Sequence, residues 1–277
     1  MKRYKKREKI TLFLAINILA IIFFIVVVSF YSNRDEIYYI INGEETTADN
    51  SQNDKTQKNT PDTPDISNMD NIEEQIEYLQ NIVFLGDSIT QGFDIYRNVI
   101  IVDGENVFKD ATIVASTGYG TRHAVADIAV NSINLMYKDK PMRPEDIVAD
   151  RNEKYVFICL GLNDLSWIKT DEYIENYRKL IDNIQNKSPD KSVVILSVTP
   201  LVAGNQGAKM NNKVIADANN KLAGIAKEYD IQFLDWAAAI KGENGGLYES
   251  LSSDGYCHLK IEAYNRLAEY LMQHPVK

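Results

Sequence analysis

The 277-residue sequence predicts an α/β protein, a parallel sheet covered by helices on both faces in three layers, set behind one N-terminal transmembrane helix. Three observations lead to that reading. Short β-branched runs alternate with amphipathic stretches from residue 81 onward, one long apolar run fills residues 10–31, and a polar, acidic segment separates the two. The expected organisation is a basic cytoplasmic tail over residues 1–9, a membrane anchor over 10–31, a disordered stem over 32–77 and one folded domain over 78–277.

The net charge of −9 is unevenly spread. Residues 1–34 hold seven bases and one acid, residues 35–77 hold twelve acids against Lys55 and Lys58, and the remainder holds 21 bases against 26 acids. The run from Ile10 to Tyr31, broken by Asn17, would reach roughly 30 Å as a helix, enough to cross a bilayer. Six bases among the first nine residues hold that end in the cytoplasm and direct the rest of the chain outside. A cleaved signal peptide is the alternative, but its apolar region is shorter and ends at a small-residue site, whereas Val28-Ser29-Phe30-Tyr31 offers none. Residues 42–68 carry almost no large apolar side chains and cannot offset the entropy of ordering, so they read as a stem. The acidic balance excludes a nucleic-acid binder. Two Cys and three His argue against a disulfide scaffold and against a structural zinc site.

Ile72, Ile76 and Leu79 at helical spacing predict a short lead-in helix over 70–80. Strands are expected at 82–85, 112–115, 155–160, 193–198 and 231–234, each β-branched or aromatic and short enough to be buried on both faces. Helices are expected near 122–137, 171–186, 209–229 and 261–273. In the second, Ile174, Tyr177, Leu180, Ile181 and Ile184 form one stripe, and Ser188-Pro189 ends it. Such alternation implies right-handed crossovers, and ligands bind beyond the carboxyl ends of the strands.

Four segments stand at those positions. Gly86-Asp87-Ser88-Ile89-Thr90 follows the first strand, Ser116-Thr117-Gly118-Tyr119-Gly120 the second and Gly161-Leu162-Asn163-Asp164 the third, while Asp254-Gly255-Tyr256-Cys257-His258 precedes the last helix. A serine hydroxyl needs a base within hydrogen-bond reach to become a nucleophile. His258 is the best-placed one, since imidazole suits proton transfer near neutral pH. Asp254 would hold its tautomer and stabilise the imidazolium. Asp87 and Asp164 read as structural carboxylates, His123 and His274 as surface residues and Cys159 as a buried free thiol. Tyr96, Tyr119, Trp167 and Trp236 read either as walls for a sugar or as ordinary core and rim aromatics.

In order and spacing these segments resemble the four blocks of the SGNH (GDSL-type) hydrolase family, over residues 81–273. The resemblance implies a flavodoxin-like α/β/α sandwich, a Ser88–His258–Asp254 triad and an oxyanion hole made by the backbone N–H groups of Ser88 and Gly118 with the Asn163 amide. Gly120 is the alternative donor to Gly118. The family spaces its last pair as Asp-x-x-His, whereas three residues separate Asp254 from His258. Either a bulged turn absorbs the extra residue or a backbone carbonyl orients His258 instead. The expectation is an esterase acting outside the membrane on an ester substrate such as an acylated glycan, with no metal and no cofactor. An O-acyltransferase on a surface polysaccharide and a non-catalytic surface domain are the competing readings.

Overall fold

The computed structural model describes residues 72–276. The predicted tail, the anchor at 10–31 and the stem up to residue 71 lie outside the described residues. Among the described residues no helix is long and apolar enough to cross a membrane. The first helix, α1 (Ile72–Gln80), begins inside the stretch assigned to the stem. Its Ile72 and Ile76 pack on the core, so the folded part starts by residue 72 and not at 78.

Strand β1 (Ile82–Gly86) is buried throughout. It feeds α2 (Ser88–Tyr96), whose N-cap is Asp87. A hairpin of β2 (Ile101–Val102) and β3 (Glu105–Asn106) follows, then β4 (Thr112–Ala115). Next come the single turn α3 (Thr121–Ala124), a hairpin of β5 (Leu135–Tyr137) and β6 (Lys140–Met142), and α4 (Pro144–Ala149), which starts on a proline. Strand β7 (Tyr155–Cys159) leads into the short α5 (Leu162–Leu165) and then α6 (Thr170–Lys187). Strand β8 (Ser192–Leu196), α7 (Asn212–Glu228), β9 (Gln232–Leu234) and α8 (Ile261–Gln273) complete the order, with 3-10 turns at Trp236–Ile240 and Glu249–Leu251.

One expected helix is corrected. The stretch 122–137 is helical only to Ala124 and ends in the β5–β6 hairpin. The Asn134 amide donates to the carbonyls of Ala129 and Ser132, a local competitor to helical bonding. Lys138 and Asp139 take positive φ at the tip of the hairpin, the twist that matches tight antiparallel turns.

The five central strands run parallel in the order β4-β1-β7-β8-β9. Counting those strands alone, this is 2-1-3-4-5, the flavodoxin-like order. Alternate residues of each strand point to opposite faces. Phe84, Phe157, Val194 and Leu196 pack on one side with Ala263, Leu267 and Leu271 of α8. Val83, Val156, Ile158 and Ile195 pack on the other, against Tyr173, Tyr177 and Ile181 of α6 and Leu222 of α7. Each fully buried side chain of that size contributes about 2 kcal/mol, so the helices are held by their apolar stripes. The chain direction across the sheet reverses at β1 and β7, which places a crevice beyond their carboxyl ends.

Candidate active site

Ser88 is the first residue of α2, two residues after β1 ends at Gly86. Asp87 caps that helix, its Oδ1 accepting from the Ile89 N–H at 2.9 Å. The Ser88 Oγ lies 3.2 Å from His258 Nε2, although 170 residues separate them in sequence. His258 Nδ1 lies 2.6 Å from Asp254 Oδ2. The His258 and Asp254 side chains are 49% and 37% exposed, so the pair faces solvent.

The unusual spacing of that pair is accommodated by a tight loop. Gly255 has φ +68°, a conformation glycine takes without strain. Asp254 Oδ1 then accepts from the N–H groups of Tyr256 (2.8 Å), Cys257 (3.0 Å) and His258 (3.2 Å) and from Ser252 Oγ (3.2 Å). The Ser253 N–H donates to the His258 carbonyl at 2.9 Å and closes the loop. One carboxylate oxygen thus organises the turn while the other addresses the imidazole. Burial alone would raise the Asp254 carboxyl, but the bonds from the His258 ring and these backbone N–H groups outweigh it and hold it at about 2. It is therefore a carboxylate at neutral pH.

Asn163, on α5 just after β7, reaches across to both neighbouring segments. Its amide donates to the Tyr119 carbonyl at 3.0 Å and to Asp87 Oδ2 at 3.2 Å. Among the described residues, the N–H groups of Ser88 and Gly118 make no hydrogen bond to protein. The Gly120 N–H, by contrast, donates to His123 Nδ1 at 3.1 Å. Gly118 has φ +78°, and a Cβ there would stand 2.9 Å from Ile133 Cδ1. A side chain at 118 would thus meet both strain and a wall.

Two buried carboxylates frame this arrangement. Asp164 is fully buried and accepts from the N–H groups of Thr121 (2.7 Å) and Arg122 (3.2 Å), pinning the start of α3 to α5. Arg122 Nη1 bonds both the Asn163 carbonyl at 2.7 Å and Asp164 Oδ1 at 3.3 Å. Burial raises the Asp87 carboxyl to about 7, a rise partly offset by the Ile89 N–H and reinforced by Asp164.

His123, expected at the surface, is half-buried; it stacks on Tyr119 and accepts from the Gly loop. His274 is half-buried too, and stacks on Tyr270 at 3.9 Å. Trp236 is a core residue whose Nε1 donates to the Ser197 carbonyl at 2.7 Å. Tyr119 is buried, whereas Trp167 is 80% exposed and lines a cleft with Lys169 and Lys209. Cys159 and Cys257 are both buried, unpaired thiols. Among the described residues, Asp254, Cys257 and His258 form a group able to hold a metal ion, with donor atoms within 4.8 Å of one another. Arg122 and the Tyr119 carbonyl were missed in the sequence because an isolated arginine and a backbone oxygen carry no motif.

The model of the GDSL-like Lipase/Acylhydrolase family matches residues 84–266. A protein from Bacteroides fragilis, provisionally described as an acylhydrolase, superposes with a TM-score of 0.51 at 17% identity, over 76% of this chain and 97% of its own. A GDSL-like lipase from Bacteroides thetaiotaomicron gives 0.50 at 16% identity, over 75% and 91%. An acetylxylan esterase from Geobacillus stearothermophilus gives 0.49 at 19% identity, over 68% and 90%. No curated protein matches the chain. At these identities the structural likenesses speak to fold, and function has to be argued from the site.

Proposed function

The chain belongs to the GDSL-like lipase/acylhydrolase family, and from that premise we propose a serine esterase that works through a Ser88 acyl-enzyme outside the cell membrane. The observation that carries the chemistry is the continuous relay from Ser88 Oγ to His258 Nε2 (3.2 Å) and from His258 Nδ1 to Asp254 Oδ2 (2.6 Å). Ser88 Oγ attacks the ester carbonyl as His258 takes its proton. Asp254 keeps the Nδ1 proton in place and stabilises the imidazolium. Negative charge on the carbonyl oxygen meets the N–H groups of Ser88 and Gly118, both without a protein acceptor, and the Asn163 amide. Preorganised donors of this kind supply the largest share of rate enhancement in acyl transfer. Asn163 would exchange its longer bond, to Asp87, for the oxyanion. The alcohol departs with the proton from His258, and a water activated by the same imidazole then releases the acid.

The placement and the substrate belong to the same proposal. The basic flank and the apolar run at 10–31 favour a single-pass anchor with the N-terminus in the cytoplasm, and the acidic segment after it a stem. An enzyme tethered in that way has ready access to an O-acylated envelope glycan, the substrate class favoured here.

A fluorophosphonate probe and short acyl esters test the chemistry. The protein should be labelled and should turn over the esters, and Ser88→Ala should lose both. An unlabelled wild-type protein, or a Ser88→Ala variant with full turnover, would overturn the assignment.

A further inference from the structure

We propose that Asp254, Cys257 and His258 form a binding site for a thiophilic divalent cation, with Zn2+ as the fitting ion, and that its occupation switches the esterase off. The inhibitory part rests on the assignment of His258 as base; the binding part does not.

The donor set is mixed in the way zinc favours, one carboxylate oxygen, one sulfur and one ring nitrogen. Asp254 Oδ2, Cys257 Sγ and His258 Nδ1 all lie within 4.8 Å of one another. Zinc bonds of about 2.0–2.3 Å in tetrahedral array need donors about 3.3–3.8 Å apart. Sγ and Nδ1 are already at 3.8 Å. Nδ1 and Oδ2, at 2.6 Å, must open, which the half-exposed His258 ring does by turning outward and giving up its bonds to Asp254 and Ser88. The carboxylate is held ready, because its other oxygen is occupied by three backbone N–H groups. Water would complete the tetrahedron from the side on which Asp254 and His258 are half-exposed.

Charge and protons balance. The carboxylate and a thiolate neutralise the two positive charges, and the thiol proton leaves to water. The imidazole stays neutral by surrendering its Nδ1 proton and taking one at Nε2. Nε2 then carries a proton, and the turned ring moves away from Ser88 Oγ, so it cannot accept the serine proton. Hard cations such as Mg2+ and Ca2+ prefer oxygen ligands and should leave the site empty. Cys257 performs no step in ester hydrolysis, which makes its thiol a residue that can be removed selectively.

Co2+ serves as the spectroscopic probe on the full-length protein. Wild type should bind one Co2+ with a near-ultraviolet thiolate charge-transfer band that Zn2+ abolishes, and Cys257→Ala and Cys257→Ser should lose that band. In parallel, metal-buffered Zn2+ should lower kcat for a short acyl ester with little change in KM. Both variants should keep the metal-free rate and need at least tenfold more free Zn2+ for half-inhibition. Absence of the band in wild type, or its persistence in both variants, would overturn the site. Equal Zn2+ sensitivity of wild type and both variants would overturn the switch. A thiolate band in a protein without esterase activity would uphold the site and count against the catalytic assignment alone.

Discussion

Two replacements of Asp254 separate its two tasks. Asn keeps an oxygen where Oδ1 accepts the N–H groups of Tyr256, Cys257 and His258, but sets an NH2 against His258 Nδ1, 2.6 Å away. Donor then faces donor, and the imidazole moves its proton to Nε2, the nitrogen 3.2 Å from Ser88 Oγ. A wrong tautomer of this kind lowers kcat by about 10³–10⁴, equivalent to about 4–5.5 kcal/mol of barrier, with KM nearly unchanged. Ala produces the same kinetic loss and also strips the loop of its acceptor. Three backbone donors lose a partner; water replaces part of each bond because the loop is half-exposed, so the cost is about 0.5–1 kcal/mol per bond and about 2 kcal/mol in all. Steady-state kinetics on a short acyl ester and urea unfolding followed by tryptophan fluorescence read the two effects. An Asn variant within tenfold of wild-type kcat would refute the orienting role of Oδ2. An Ala variant as stable as the Asn variant would refute the structural role of Oδ1.

Asn163→Ala should lower kcat by about 10²–10³, the loss typical of one oxyanion donor, with little change in KM; a loss confined to KM would remove Asn163 from the oxyanion site. Asp87 is raised from 3.8 to about 7 by burial, so its neutral form is favoured in the folded state. The stability this lends is complete below the unfolded pKa of 3.8 and is lost as pH rises through about 7. Relative to wild type, Asp87→Asn should therefore gain about 2 kcal/mol between pH 5 and pH 7; urea titrations giving the same difference at both pH values would count against it. At Gly92 a Cβ would stand 1.7 Å from the Tyr264 hydroxyl, which donates to the Ile89 carbonyl at 3.1 Å while its ring packs edge-on against Phe93. Gly92→Ala should cost about 2–4 kcal/mol and lower Tm by about 4–15 °C, whereas an unchanged Tm would show that α8 yields freely.

Much of this arrangement was legible because it is local. The β-branched runs at Ile82, Thr112, Tyr155 and Val193 became strands since period and residue type act within a few residues. The stripe from Ile174 to Ile184 became the buried face of α6 for the same reason. The stretch 122–137 was not legible: its apolar residues allow a helix, but Asn134 bonds its own neighbourhood and Lys138-Asp139 turn the chain into a hairpin. Helix α2 was not among the expected helices, and only the burial of Ile89 and Phe93 shows the face it turns to the core.

By itself the sequence determined the α/β class, the division of charge along the chain and the candidates Ser88, Asn163 and His258, because periodicity, composition and short motifs are properties of neighbouring residues. Tertiary structure decided the rest. It brought His258 to Ser88, turned Asp254 toward His258 despite the longer spacing, occupied the Gly120 N–H while leaving that of Gly118 free, and set Cys257 beside His258. Each of these depends on where a backbone or side-chain atom lies relative to another loop. Distances of that kind are set by the packing of the whole sheet, and no local pattern encodes them.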